Sequence, residues 1–463
     1  MICRNPEMIR ELRRRAVEIR RKIYDELLNW KNRDQGSSAL LIEGARRVGK
    51  SFIAEKFARQ EYKSYLLIDF SKAIPDIKQL FETETEDLDT LFQALQAHYK
   101  VRLYPRKSCI ILDEIQFCPK ACQLIKALVA DGRFDYIETG SLISLKRNIS
   151  DILIPSEEES IRMVPLDFDE FLWALGDEIT YPVIEEHFEE RKPLGQALHR
   201  SIMKSFREYI LTGGMPQVVT EYVKSHDFEA ADRIKRRILR LYREDISKFA
   251  KGYESKVFAI FDDIPGQLSK KEKKYKLASL SKSARMREYE DAFVWLTEAM
   301  VVNPCFNSTD PNEGLKLSEE FTTQKIYMAD TGLLVTLTFG DSDYLDNDLY
   351  RAILFDRLNV NEGMLMENIV SQMLCSSGHK LFFYSRNDSR SYANRIEIDF
   401  LIKRGRKICP IEVKSASYRK HSSLDKFTGR FGKRLGERYI LYQNDVMEKD
   451  GVIHLPLYMA GLL

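Results

Sequence analysis

The apolar positions of this chain fall into two periods. In residues 8 to 30, Ile9, Leu12, Ala16, Ile19, Ile23 and Leu27 recur three or four apart, which predicts a helix. Ala39-Leu40-Leu41-Ile42 is a continuous apolar run and reads as a buried strand, and Ser51 to Ala58 return to helical spacing. Tyr65 to Phe70 predict a second strand, residues 87 to 100 a helix, Cys109 to Leu112 a third strand and Asp135 to Glu138 a further one. Residues 166 to 250 are mostly helical by pattern, ending in a long charged amphipathic helix from Ala230 to Phe249. Residues 254 to 308 carry two or three short helices, of which Ser283 to Val301 is the strongest. Leu365 to Val370 fall on a helix, and Ile396–Ile402 and Lys407–Val413 on two strands joined by a turn at Lys403-Arg404-Gly405-Arg406. Strands and helices in this alternation predict an α/β fold.

At 463 residues the chain exceeds one core, so several domains are expected. Lys and Arg number 72 against 70 Asp and Glu, so a nucleic-acid partner would have to be met by a local patch rather than by net charge. The clearest patches are the six basic residues Arg13, Arg14, Arg15, Arg20, Arg21 and Lys22, read as a solvated helix face, and the lysines among Lys270 to Lys276. There is no run of 18 apolar residues and the first residues lack an apolar signal core, so no membrane contact is expected. The seven scattered cysteines read as reduced thiols of a cytoplasmic protein, and Cys118 and Cys122 lack the second Cys or His pair of a zinc site.

One stretch carries chemistry by itself. Gly44-Ala45-Arg46-Arg47-Val48-Gly49-Lys50-Ser51 fits the phosphate-binding pattern G-x-x-x-x-G-K-[ST], with a strand before it and a helix after it. The glycines let backbone N–H groups face phosphate oxygens, and the helix N-terminus adds partial positive charge. Lys50 would reach the β- and γ-phosphates of ATP, and the Ser51 hydroxyl would hold Mg²⁺. Arg46 and Arg47 fill free positions and read as solvated. Downstream, the apolar strand Cys109 to Leu112 delivers Asp113 and Glu114 at its end. Asp113 would orient the Mg²⁺ and Glu114 would polarise the attacking water, although an Asp-Glu pair at a strand end also suits a plain turn. Thr139-Gly140-Ser141 ends the next strand, and Ser141 or Thr139 is the candidate γ-phosphate sensor.

These stretches, with Arg162-Met163-Val164-Pro165-Leu166-Asp167-Phe168-Asp169-Glu170-Phe171 and Thr212-Gly213-Gly214-Met215-Pro216, resemble a prokaryotic family of AAA-type ATPases. The resemblance runs from about residue 20 to about residue 420. It implies an ATPase with ATP and Mg²⁺ as cofactors and a C-terminal domain of unknown function with a restriction-endonuclease-like fold. The expected layout is an N-terminal helix and linker (1–34), a P-loop ATPase core (35–165), a helical lid (166–250), a winged-helix-like domain (251–340) and a nuclease-like α/β domain (341–463). Arg162, Arg240 and Arg243 are candidate arginine fingers or structural ion-pair residues. Ile326 to Leu334 resembles a further family landmark, with Asp330 read as a helix cap.

The nuclease-like region has its own constellation. Glu412 and Lys414 lie two apart on one strand and so on one face, with Asp399 on the strand before and Glu367 on a helix. The set looks like the nuclease core written PD-(D/E)xK. Glu367, Asp399 and Glu412 would then share a divalent cation, with Lys414 beside the scissile phosphate. The same positions fit a degenerate fold kept for binding. Two functions follow: a nucleotide-driven, ATP-hydrolysing switch acting with DNA or RNA, and an ATP-dependent signalling or defence scaffold with a protein partner and an inert nuclease-like domain. A homo-oligomer is open under both.

Overall fold

A computed structural model describes residues 19–83, 87–140, 157–270, 274–280, 282, 284–311, 314–340, 347, 350, 362–386, 395–415 and 422–463. They divide into two compact units, residues 20–164 and residues 165–463.

The first unit runs α1 (Ile23–Asp34), β1 (Ala39–Gly44), α2 (Lys50–Glu61), β2 (Ser64–Asp69), α3 (Pro75–Thr83), α4 (Leu88–Tyr99), β3 (Ser108–Asp113), α5 (Pro119–Asp131), β4 (Asp135–Gly140) and β5 (Glu158–Met163). The five strands form one parallel sheet in the order β2-β3-β4-β1-β5. Helices lie on both faces, so the central strands β1, β3 and β4 are almost wholly buried and their alternation sorts side chains by face. Leu41, Ile110, Leu112 and Tyr136 meet α3, α4 and α5 on one side; Leu40, Ile42, Ile111 and Ile137 meet α1 and α2 on the other. Caps set the helix ends. Asp87 accepts from the N–H groups of Asp89 and Thr90 at the start of α4, and Pro119 opens α5 at its first turn.

The N-terminal helix differs from its sequence pattern. Residues 19–22 are not helical, and α1 continues through the polar stretch 31–34 that read as linker. Arg21, expected on a solvated face, is buried. Its guanidinium donates to the carbonyls of Val48 (3.2 Å) and Val164 (2.6 Å). Backbone acceptors at those two points hold residue 21 out of the helix.

The second unit starts helical: α6 (Phe168–Ala174), α7 (Thr180–Glu190), α8 (Gln196–Thr212), α9 (Pro216–Ser225), α10 (Phe228–Phe249), α11 (Glu254–Ser269) and α12 (Met286–Glu298). Then come β6 (Val302–Ser308), β7 (Glu319–Met328), α13 (Thr331–Thr338), α14 (Glu362–Ser376), β8 (Leu381–Arg386), β9 (Ile396–Arg404), β10 (Lys407–Val413), α15 (Ser422–Phe431), β11 (Tyr439–Tyr442), β12 (Met447–Lys449) and β13 (Val452–Pro456). Asp167 and Glu170 close a reciprocal capping box at α6.

The eight strands among the described residues of this unit form one mixed sheet, β12-β13-β11-β10-β9-β8-β6-β7. The spans 251–340 and 341–463, expected as separate domains, therefore share a sheet. The joint is the parallel pairing of β6 with β8 through Cys305↔Leu381 and Phe306↔Phe382, a long-range match that no local pattern announces. One face carries Leu424, Phe427 and Phe431 of α15 over Tyr384, Ile398 and Ile440.

The landmarks Thr212 to Pro216 and Ala329 to Leu333 meet in this unit. Asp330 is buried, caps α13 through the Leu333 N–H (2.8 Å) and accepts the Gly214 N–H (2.6 Å). A Cβ on Gly332 would stand 2.4 Å from the Thr212 carbonyl oxygen, so only glycine permits this approach. Asp330 thus has a structural task, as its reading as a cap implies.

Candidate functional site

The chain leaves β1 toward the β2 side of the first sheet and later returns to β5 on the other. The topology therefore reverses beside β1, and the carboxyl ends of the strands there are where open α/β sheets take ligands. Gly44 ends β1 so close to β5 that a Cβ would lie 2.4 Å from the Met163 carbonyl oxygen. Arg47 (φ 71°) and Gly49 (φ 108°) then turn the loop through the left-handed region into α2. Ala45 and Val48 are buried under this turn, while Arg46 and Arg47 are exposed. Arg21 braces it from below through the Val48 carbonyl.

Lys50 Nζ donates to the carbonyls of Gly44 (2.8 Å) and Ala45 (3.1 Å), which keeps its ammonium inside the loop's curve. Ser51 Oγ donates to Asp113 Oδ1 (2.7 Å) from the first turn of α2. Thr139 Oγ1, buried on β4 between the two strands, donates to the same oxygen and accepts from the Glu114 N–H at 3.4 Å. Glu114 itself is left-handed (φ 53°), a conformation that a non-glycine residue tolerates only where its surroundings enforce it. Gln116 Nε2 donates to its carboxylate.

The residue types at these strand ends suit a magnesium nucleotide. A hydroxyl and a carboxylate side by side are hard oxygen donors, and an ammonium and a helix N-terminus stand beside them. The loop residues Gly44 to Ser51, Asp113 and Glu114 all come to this edge of the sheet, and Thr139 joins them. Ser141 lies outside the described residues. Among the arginine candidates, Arg243 forms a two-point pair with Asp262 (2.5 and 3.1 Å), a structural role, while Arg162 and Arg240 are exposed.

The C-terminal constellation is arranged around lysines. Lys325 of β7 is buried, with its ammonium 3.6 Å from Glu367, 3.8 Å from Asp399 and 3.9 Å from Glu397. Burial lowers its pKa, but Glu367, Asp399 and Glu397 together outweigh that and hold it above the ordinary lysine range. Asp399 turns its other oxygen to the Val413 N–H (2.9 Å), and Glu412 pairs with Lys414 at 2.7 Å. Burial pushes the carboxyls of Glu367 and Glu412 upward, against the pull of those lysines. Among the described residues, the oxygens of Glu367, Asp399 and Glu412, expected to share a cation, do not all lie within 4.8 Å of one another. The physical reason is that each acid already faces a protein cation. Lys325 went unnoticed in the sequence because it ends an ordinary polar run, Thr322-Thr323-Gln324.

No helix among the described residues is long and apolar enough to cross a membrane, and the six described cysteines are all free thiols.

Comparison with known proteins finds a family match over the residues of the first sheet. An AAA domain model matches residues 36–172, and two domains of unknown function match residues 203–344 (DUF8612) and 362–458 (DUF4143). An uncharacterized protein of Haemophilus influenzae is 24% identical over 212 residues, 44% of this chain and 45% of that protein, so the match spans less than half of the relative's length. Among solved structures, a Walker-type ATPase of Pyrococcus abyssi is similar at 17% identity over 70% of this chain and 97% of that one, with TM-score 0.42. The Orc1 protein of Aeropyrum pernix, solved in complex with DNA, is similar at 11% identity over 71% and 95%, with TM-score 0.29. Loop, acidic strand end and family model together make residues 36–172 an AAA-type P-loop ATPase domain.

Proposed function

We propose that this protein is an ATP-hydrolysing switch whose nucleotide state is read out by its C-terminal unit in work on nucleic acid. The observation that carries the ATPase part is the convergence of Ser51, Asp113 and Thr139 on one oxygen at the carboxyl edge of the sheet. In this reading the loop N–H groups and Lys50 bind the triphosphate of ATP. Ser51 and Asp113 hold the Mg²⁺ that neutralises phosphate charge when bound. Thr139 fixes the Asp113 carboxylate and the Glu114 backbone, and Glu114 orients the water and takes its proton.

The nucleic-acid part is supported by the segment after α11. Tyr275 is buried, donating to Asp263 (3.0 Å) and, through its N–H, to the Gln324 carbonyl (2.7 Å). That anchor leaves Lys270, Lys274, Lys276, Lys282, Arg285 and Arg287 exposed within one short stretch, suited to phosphate contacts by a winged-helix-like element. A second reading, a scaffold for a protein partner with an inert nuclease-like fold, is favoured by Lys325 standing among the acids that would otherwise hold a metal.

ATP turnover with and without duplex DNA, in wild type and Lys50→Ala, tests both readings. Turnover lost in Lys50→Ala supports the ATP site, and unchanged ATP affinity in that variant refutes it. DNA binding that weakens with salt, with a slope about 0.9 shallower per lysine removed from 270–276, supports the first reading. Salt-independent indifference to DNA supports the second.

A further inference from the structure

Away from the nucleotide site, on the face of the first sheet covered by α5, three side chains meet whose presence the ATPase does not require. Glu138 sits in the middle of β4, Glu158 opens β5, and Cys122 reaches down from α5. The two strands flank β1, whose register pairs Leu41 with Glu138 and Ala39 with Glu158. Strands two apart are about 9–10 Å distant, so two glutamates can meet only if the residue between them is small. Ala39 supplies that gap. The Cys122 Sγ and one carboxylate oxygen from each glutamate lie within 4.8 Å of one another.

Glu138 is the independent observation. It has no exposed surface, and among the described residues its oxygens meet no hydrogen-bonding group except the carboxyl of Glu158, itself an acid. Buried polar atoms in folded proteins are nearly always satisfied, so a buried carboxylate faced only by another acid indicates a cation or proton that belongs with the pair. The charges acting on the two glutamates are each other's and that of Glu43, all of one sign. Burial foremost, then Glu158, pushes the Glu138 carboxyl well above the carboxylate range.

We propose that Cys122, Glu138 and Glu158 form a binding site for a divalent transition cation of the zinc type. A thiolate with two carboxylates is a borderline donor set, which selects Zn²⁺ over Mg²⁺ or Ca²⁺. Binding displaces the thiol proton and the proton that the carboxyl pair holds, both to solvent, and forms one sulfur–metal and two oxygen–metal bonds. Three protein ligands leave a fourth position for water. Because Glu138 directly precedes Thr139, the cation would stiffen the strand that positions Asp113.

The test uses the full chain, stripped with chelator and dialysed, with excess Mg²⁺ present to keep hard-donor sites out of the titration. Cd²⁺ is added as probe, the thiolate-to-cadmium ultraviolet absorption is followed, and Zn²⁺ is used to compete it away. The expected result is one saturable step, lost in Cys122→Ser and weakened in Glu138→Gln and in Glu158→Gln by more than the roughly 10–100-fold that outer partners of a metal ligand command. Metal-free Glu138→Gln should melt no lower than wild type, because it removes a buried acid facing another acid; this separates lost binding from lost fold. Glu158→Gln, at the partly exposed start of β5, gives a second reading if the interior variant fails to fold. An unchanged cadmium signal in Cys122→Ser, or in Glu158→Gln, overturns the site and leaves a carboxyl pair sharing a proton.

Discussion

Replacing Lys325 by methionine keeps the length and most of the volume of the side chain and removes only its charge. Its ammonium stands 3.6, 3.8 and 3.9 Å from Glu367, Asp399 and Glu397. At an effective dielectric of about 20, each attraction is roughly 4 kcal/mol, about 13 kcal/mol in sum before costs. Burying the ammonium and holding three like charges together consume most of that. What remains is read best from the removal of one partner of a buried ion pair, which costs about 3–5 kcal/mol. The carboxylates keep 17–24% exposure and recover some hydration, so the lower end, about 3 kcal/mol, is expected for Lys325→Met. Chemical denaturation of wild type and variant measures it. The same experiment with millimolar Mn²⁺ carries the sharper contrast: the variant should regain much of the loss, since a divalent cation can then stand where the ammonium stood, while wild type gains only what its nucleotide site supplies. A loss below about 1 kcal/mol, or equal Mn²⁺ stabilisation of both proteins, refutes the view that Lys325 fills the cation position.

Glu114→Gln should keep ATP bound and slow hydrolysis by a factor on the order of 10² in a phosphate-release assay; wild-type turnover would place the water-polarising role elsewhere. Thr139→Val deletes one donor to Asp113 and the acceptor for the Glu114 N–H, and hydrogen bonds to charged groups contribute about 1.5–3 kcal/mol. Weaker Mg²⁺-dependent nucleotide binding by roughly tenfold is expected in calorimetric titration, and no change would show Thr139 to be passive. Lys235, fully buried with its pKa lowered to about 8 by burial against the opposing pull of Asp232, loses its proton in the folded state before the unfolded chain does. Between pH 8 and 10.5 the unfolded chain binds the extra proton, so this group makes stability rise with pH across that window, by a total on the order of 3 kcal/mol. Lys235→Met should flatten that rise when unfolding is measured from pH 7.5 upward; an unchanged slope would assign it to other groups.

The nucleotide site was legible because its information is local. Eight consecutive residues carry the loop, the flanking apolar runs give strand and helix, and Asp113 and Glu114 follow a strand buried on both faces. Sequence offered Thr139 beside Ser141 as sensors, and the bond from Thr139 to Asp113 becomes visible only when the neighbouring strand is placed. What stayed hidden depends on partners far along the chain. Arg21 looks like one basic residue among six, yet its carbonyl acceptors lie 27 and 143 positions away. Lys325 looks like a surface lysine until Glu367 and Asp399 are folded against it. Cys122 reads in the sequence as half of a Cys pair with Cys118 that lacks the second pair of a zinc site, whereas the acids that meet it, Glu138 and Glu158, lie on two strands separated by β1.

The pairing of β6 with β8 also fixes an order of events during synthesis. β6 ends at Ser308 and β8 begins at Leu381, so 73 positions must leave the ribosome before the inner edge of the β6–β7 hairpin finds its partner. At 5–20 residues per second, that edge waits roughly 4 to 15 s with its backbone donors and acceptors open. A nascent chain paused in this interval offers a ready template for another chain's strand. Slower translation of residues 309–380 therefore lengthens the time for which this edge is open to another chain.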